Sequence, residues 1–179
     1  MKKFYKKGFT LIELLVVVAI IAILALIVLL ALNPVEMARR SRDSRRLSDI
    51  GTIRRAIDLA LADKQILTDT GGGSIVINTN TPVANIDGNN LDISKYLSVI
   101  PQDPVNDGTG DVVQVVMPDC TPGTTTKGGM IYEYISDGDT YVLRARLEST
   151  DNCIAITQDG NNDSDYYELG TDPGLDLFE

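Results

Sequence analysis

The chain has 179 residues, which suits one modest domain plus a separate hydrophobic segment. Lys and Arg outnumber Asp and Glu twelve to seven through residue 70, whereas from residue 71 onward the count is four to eighteen. The acidic second part would repel phosphate, so we expect no nucleic acid among its partners. The chain has no His, which excludes Ser-His-Asp and Cys-His catalysis and His-ligated metal centres, and we expect it not to be an enzyme.

The N-terminal region joins a basic segment to a long apolar one. Four lysines lie within the first seven residues, and the run Phe9–Leu32 is interrupted only by Thr10 and Glu13. As a helix this run would be about 36 Å long, enough to cross a bilayer core of about 30 Å. No small-x-small cleavage site follows it, as a secretory signal would require. A cut after Gly8 would instead remove the lysines and leave the apolar helix at the new N-terminus.

Glu13 is the unusual residue of this segment. A carboxylate near the middle of a membrane helix costs about 2.5–3.5 kcal/mol, so it needs a partner. Its helical neighbours supply no cation, but a cut after Gly8 would free the α-amine of Phe9. On an adjacent copy that amine would lie at a similar depth, so an intermolecular pair could offset the burial cost and set the register of packed helices.

The residues Gly8-Phe9-Thr10-Leu11-Ile12-Glu13 resemble the prepilin signal of type IV pilins and type II secretion pseudopilins. The resemblance implies a dedicated membrane peptidase that cuts between Gly8 and Phe9, N-methylation of Phe9, and pairing of Glu13 with a neighbour's N-terminus. It also implies an assembly ATPase, a platform protein and related pilins as partners. The alternative is a plain signal anchor with an incidental Glu13.

We predict an α+β fold in which a long N-terminal helix packs on a small antiparallel β-sheet head. Asn33 and Pro34 favour a helix break, because Asn33 can cap and Pro34 suits the first helical position. The pattern from residue 35 to about 64 is helical, with a stripe of Leu47, Ile50, Ile53, Ile57 and Leu61. The predicted parts are a leader (1–8), a membrane helix (9–32), an amphipathic helix (33–70) and an acidic head (71–179).

The head contains five strand candidates after Gly71–Gly73, a joint that we expect to end the helix. They are Ser74–Asn78, Val112–Met117, Met130–Ile135, Thr140–Leu147 and Cys153–Thr157. Ser136–Asp139 predicts a hairpin turn, and Leu91–Ile100 predicts a short helix. We expect the tyrosines of these strands, Tyr132, Tyr134 and Tyr141, to pack on a sheet face rather than to bind a ligand.

Cys120 and Cys153 are the only cysteines, and an even pair outside the cytoplasm predicts a disulfide, with a free buried pair as the alternative.

A basic cluster lies on the predicted amphipathic helix and consists of Arg39, Arg40, Arg42, Arg45 and Arg46. It could contact acidic neighbours or anionic lipid, or it could be a solvated helix face. Because the cluster balances the N-terminal lysines, charge does not choose an orientation. The resemblance and the cysteine pair place the N-terminus in the cytoplasm.

Two features of the head echo the major pseudopilin. Ile100-Pro101-Gln102-Asp103-Pro104 resembles its L-P-x-D-P stretch. Asp159, Asn161, Asp163 and Asp165 place oxygens at alternate positions, as a calcium loop would, although the spacing does not match an EF-hand. The resemblance favours calcium as a structural ion, whereas Asp and Asn are also the usual residues of exposed turns.

The sequence therefore predicts a filament subunit of a type IV pilus or of a type II secretion pseudopilus. Such a subunit resides in the inner membrane before assembly and in an extracytoplasmic filament with other copies afterwards. The disulfide favours a pilus, and the Pro-x-Asp-Pro stretch and ion loop favour a pseudopilus. No cofactor is required, and calcium is the candidate ion. A competing hypothesis is an uncleaved single-pass protein whose acidic head binds a solute or glycan.

Overall fold

The computed structural model describes residues 8–78, 80–89, 91–106, 110–116, 119–160 and 165–178. The chain divides into two compact units, Met1–Ala38 and Arg39–Glu179. Its described helices are α1 (Leu11–Leu32), α2 (Pro34–Ala62) and α3 (Cys153–Thr157), with short 3₁₀ helices at Lys127–Gly129 and Thr150–Asn152. The described strands are β1 (Ile75–Ile77), β2 (Asp111–Val116), β3 (Thr121–Thr126), β4 (Tyr132–Ser136), β5 (Tyr141–Ala145) and β6 (Tyr167–Gly170).

The predicted break between the two long helices is confirmed. Helix α1 ends at Leu32 and is capped by Asn33, whose backbone is left-handed with φ 40°. Helix α2 then begins at Pro34, where the missing N–H costs no helical hydrogen bond. The Asn33 carbonyl accepts a hydrogen bond from the Glu36 N–H at 3.1 Å and so satisfies a donor of the new helix.

Helix α2 buries the predicted apolar stripe but is shorter than expected. Ile50, Ile53 and Ile57 are fully buried. The helix ends at Ala62, so the expectation that Gly71–Gly73 ends it is wrong. Lys64 adopts a left-handed backbone (φ 70°), and the N–H groups of residues 64 and 65 bond back to the last turn of the helix. This is a Schellman cap with lysine in the usual glycine position.

The main sheet of the head has four antiparallel strands in the order β1-β4-β5-β6, while β2 and β3 form a separate two-stranded ribbon. The predicted turn joins β4 to β5, and Ser136 pairs with Tyr141 across it. In the chain, the ribbon lies between β1 and β4. The backbone N–H of Val115, in β2, donates to the Leu147 carbonyl at 2.8 Å. These observations establish the predicted α+β class.

The sheet packs on α2 through three tyrosines, which confirms the prediction that they line a sheet face. Tyr132, Tyr134 and Tyr141 are buried in one core with the α2 stripe. The Tyr132 hydroxyl donates to Asp49 at 2.9 Å, and the Tyr141 hydroxyl donates to Asp58 at 2.5 Å. The rings therefore supply apolar area while α2 provides acceptors for two of their hydroxyls.

Two predicted elements are wrong in type. Cys153–Thr157 forms the short helix α3 rather than a strand. The preceding 3₁₀ turn is capped by Ser149, whose hydroxyl accepts from the Asp151 N–H. Leu91–Ile100 forms turns rather than a helix. There the Gln65 amide exchanges two hydrogen bonds with the backbone of Asp92, at 2.6 and 2.7 Å, which replaces helical pairing.

Strand boundaries differ from the prediction elsewhere. Strands β3 and β6 were not predicted, and Met117, the last residue of the Val112–Met117 candidate, lies outside the described residues. The remaining candidates correspond to β1, β2, β4 and β5 within a few residues.

Candidate functional site

Gly8 and Phe9 lie just before the first turn of α1. Thr10 is the N-cap and has an extended backbone, so the peptide bond between Gly8 and Phe9 is outside the helix. The Phe9 side chain is 85% exposed. A Cβ built on Gly8 would meet no atom within 4 Å, so packing within the described chain does not account for the glycine.

The Glu13 carboxylate is held by Thr10, a partner that the sequence reasoning missed. Both the backbone N–H and the hydroxyl of Thr10 donate to Oε2 of Glu13, at 2.8 and 2.7 Å. The Thr10 hydroxyl oxygen in turn accepts from the Glu13 N–H at 3.3 Å. This reciprocal arrangement is a capping box, which the spacing Thr-x-x-Glu could have revealed.

In the isolated chain, the capping box already supplies the Glu13 carboxylate with hydrogen-bond partners. The carboxylate has hydrogen-bond donors at the N-terminus of α1, where the helix dipole also favours negative charge. These donors carry no formal charge, so the pairing of Glu13 with a neighbour's α-amine stays a prediction.

The apolar side chains around this site face outward. Residues Leu11–Leu29 are long and apolar enough to cross a membrane by length and composition, and their side chains are exposed in the single chain. The site is thus an exposed Gly-Phe bond followed by an apolar helix that carries one acid in its first turn.

The model of the prokaryotic N-terminal methylation motif matches residues 3–29, which include Gly8, Phe9 and Glu13. The chain carries a prepilin-type signal. This signal is the one found in type IV pilins and pseudopilins, and with the apolar α1 it is consistent with membrane anchoring. No curated protein and no solved structure matches the chain. The prepilin-type signal therefore carries the functional assignment.

In the head, Cys120 and Cys153 are joined by a disulfide, with their Cα atoms 5.9 Å apart. Cys153 opens α3 and is buried, whereas Cys120 is half-buried just before β3. Val115, Leu147 and Ile156 pack around the bond in a small core of their own. The disulfide thus fixes the ribbon to the segment that follows β5.

Part of the basic cluster is buried, so neither interpretation of the whole cluster as an exposed surface is correct. Arg46 is completely buried between three carboxylates. Its Nε donates to Asp103 at 2.5 Å, and its Nη1 lies 2.7 Å from both Asp43 and Glu148. Arg42 also binds Glu148 through two nitrogens, at 2.8 and 2.5 Å.

Two other arginines of the cluster form ion pairs at the surface. Arg40 pairs with Asp151, and Arg45 pairs with Asp49 one helical turn away at 3.7 Å. These exposed pairs contribute little to stability, about 0–1 kcal/mol each.

Asp43 is the acceptor at the centre of this network. Its carboxylate accepts the backbone N–H groups of Glu148 and Ser149 and the side-chain amide of Asn152, all within 3.1 Å. We call Arg42, Asp43, Arg46, Asp103 and Glu148 the buried ion network. It joins α2, the Pro-x-Asp-Pro turn and the segment after β5, which are distant in sequence.

The charges of the buried ion network outweigh the effect of burial on protonation. Burial alone would raise the pKa of Glu148, but hydrogen bonds from Arg42 and the charge of Arg46 lower it below its usual value. Burial alone would lower the pKa of Arg46, and Asp103 and Glu148 raise it instead. Both groups are therefore held in their charged forms.

The predicted calcium ligands lie only partly within the described residues. Asn161 and Asp163 lie outside them, and Asp159 uses one oxygen to accept the Glu168 N–H at 2.9 Å. Asp159 and Asp172 line a cavity of about 310 Å³ together with Arg54. Among the described residues, no group of three or more acids or cysteines is placed to hold a metal ion. Calcium binding by Asp159, Asn161, Asp163 and Asp165 stays a prediction.

Proposed function

We propose that the protein is a structural subunit of a type IV pilus-like or type II secretion pseudopilus filament. The chain resides in the inner membrane through α1 with its N-terminus in the cytoplasm. A prepilin peptidase cuts after Gly8, Phe9 is N-methylated, and an assembly ATPase and platform protein move the subunit into a filament with other copies and related pilins. The single observation that carries this proposal is the prepilin-type signal at residues 3–29.

The composition of α1 supports a role in assembly. The apolar side chains of Leu11–Leu29, which are exposed in the single chain, gain stability once they are surrounded by lipid or by other apolar helices. Glu13 is the only acid of α1, so it fixes the one polar level at which neighbouring helices can align. In the single chain Thr10 satisfies its carboxylate, and in a filament the amine of a processed neighbour supplies the missing positive charge.

The mature N-terminus is the decisive measurement. Mass spectrometry of the protein purified from its own cells should find N-methylated Phe9 as the first residue. A chain that retains Met1, or one cut beyond residue 32, would exclude the filament proposal. An intact Met1 would instead favour an uncleaved membrane-anchored binding protein.

The role of the Glu13 charge can be separated from its role in the capping box. Glu13→Gln keeps an oxygen that can accept hydrogen bonds from Thr10 but removes the charge, and Glu13→Ala removes both. We expect both variants to insert and to be cut, and both to lose most filament assembly, as measured by the polymeric fraction in sheared material. Normal filaments from Glu13→Gln would show that charge pairing is not needed.

A matched control lies at the start of α2. Glu36 also stands in the first turn of a helix, but it lies outside the predicted membrane segment. Glu36→Gln should assemble normally. If it failed as severely as Glu13→Gln, loss of any helix-terminal charge would explain the defect.

A further inference from the structure

The segment formed by residues 147–157 is attached to the rest of the head at two places. Its first half binds α2 through the buried ion network, and its second half carries Cys153, which is bonded to Cys120. Asn152, the last residue of the segment that contacts Asp43, directly precedes Cys153 in the chain. The two attachments are therefore close enough to influence each other.

The attachment to α2 is made by hydrogen bonds and ion pairs and involves neither sulfur. Asp43 is fully buried and accepts three donors from the 147–157 segment, all within 3.1 Å. Arg42 and Arg46 hold the Glu148 side chain from the same helix. Charge-assisted hydrogen bonds of this kind are strong when both partners are buried and satisfied.

The disulfide attaches the same segment to a different element. Cys120 lies between β2 and β3, and the described contacts of the ribbon with the segment include the Val115 hydrogen bond to Leu147 and a small apolar core. Cys120 is half-buried and Cys153 is 6% exposed. Of the two residues, Cys120 is therefore the more exposed.

We propose that Asp43 is a positioning residue for disulfide formation, because it docks the 147–157 segment on α2 and so places Cys153 beside Cys120 before the bond forms. The oxidant is a disulfide, from a small molecule or an oxidoreductase. The Cys120 thiolate attacks one oxidant sulfur and releases a first thiol, leaving a mixed disulfide. The Cys153 thiolate then attacks the Cys120 sulfur and releases a second thiol. Two electrons pass to the oxidant, and the two protons lost by the cysteines are taken up by the released thiolates.

The proposal has a reciprocal consequence. If docking raises the effective concentration of the two thiols for each other, closing the disulfide must strengthen docking by the same factor. A variant that weakens docking should therefore lower the equilibrium constant for disulfide formation, and a general loss of stability elsewhere on α2 should not.

The test uses the full chain in detergent micelles, equilibrated in buffers with different ratios of oxidised to reduced glutathione. Free thiols are alkylated, and mass spectrometry gives the oxidised fraction. Asp43→Asn should lower the effective concentration of the thiol pair about tenfold or more. The matched control is Asp58→Asn, which lies on the same helix and removes the charge of the carboxylate that accepts from the Tyr141 hydroxyl instead. It should stay within about twofold of the unsubstituted chain. Equal values for the two variants would overturn the proposal.

A second measurement needs no variant and decides the matter if Asp43→Asn does not fold. In the reduced unsubstituted chain, hydrogen exchange should leave the amides of Glu148 and Ser149 protected, since both donate to Asp43. The amides of β2 and β3 should lose protection. If residues 148 and 149 exchanged as fast as the ribbon after reduction, docking would depend on the disulfide and the proposal would be wrong.

Discussion

Arg46 shows how a single buried side chain can organise the head. Its guanidinium forms ion pairs with carboxylates from three separate parts of the chain, and all of these groups are nearly inaccessible to water. Replacing Arg46 by Met would leave buried carboxylates without their shared cation, at a cost of about 3–5 kcal/mol. Urea unfolding followed by circular dichroism measures this loss. The adjacent control Arg45→Met, whose side chain is 62% exposed, should change stability by at most about 0.5 kcal/mol. Similar losses for both variants would contradict the role given to Arg46.

Glu148 makes the stability of the head depend on pH in a defined direction. Arg42 and Arg46 hold its folded-state pKa below the ordinary value, so its contribution is complete above pH of about 4.3. The contribution is lost as pH falls through the folded-state pKa, because protonation then removes the charge that the arginines bind. The difference in melting temperature between the unsubstituted chain and Glu148→Gln should therefore be largest at neutral pH and shrink toward pH 3. A difference that stayed constant over this range would rule out the ionic contribution.

At the scale of elements, the contact between α2 and the sheet makes a prediction about alkaline pH. Burial raises the pKa of Tyr132, Tyr134 and Tyr141. A raised folded-state pKa stabilises the fold below the ordinary tyrosine value of about 10 and destabilises it as pH rises further. These phenols should ionise only when the head unfolds, so absorbance at 295 nm should rise together with loss of circular dichroism. A chain in urea should instead titrate smoothly near pH of about 10. Complete ionisation with the fold intact would contradict the burial of these rings.

The sequence was sufficient for elements with a strong repeating pattern. The stripe on α2 recurs every three or four residues, and the turn between β4 and β5 has Asp137 and Gly138 between alternating residues. Asn33 and Pro34 mark the helix break because a proline cannot continue the preceding hydrogen bonds. In each case the local preference agrees with the tertiary contacts, so the pattern alone identifies the element.

Elsewhere, contacts distant in sequence override the local pattern. Cys153–Thr157 is a short apolar run that periodicity cannot assign to strand or helix, and in the folded chain it forms the helix α3. Strand β3 contains Pro122 and Gly123, which favour a loop, yet it pairs with β2 along its whole length. Arg46 has the same local signals as its exposed neighbours. Only the approach of Asp103 and Glu148 distinguishes it.

For the whole molecule, the N-terminal signal is recognised from a local motif, whereas the head is understood from contacts between residues distant in sequence. The N-terminal unit is identified by a motif that is almost entirely local, so Gly8, Phe9 and Glu13 could be singled out from the sequence. No curated protein and no solved structure matches the head, and its stability depends on a network that joins residues 105 positions apart. The proposed function therefore rests on the signal in the N-terminal unit, whereas the head shows the architecture.

Processing at Gly8 should change the charge of the whole molecule in a way that is easy to measure. The predicted leader contains four lysines and no acid, so its removal changes the formal net charge from −9 to −13. The mature chain should therefore focus at a lower pH than the precursor, whose isoelectric point is about 4.5. Isoelectric focusing of cells with and without prepilin peptidase should show this acidic shift together with the mass loss of residues 1–8. Gly8→Val should keep the precursor position even when the peptidase is present, because the bulkier side chain blocks cleavage. An identical focusing position with and without the peptidase would show that the lysines remain attached.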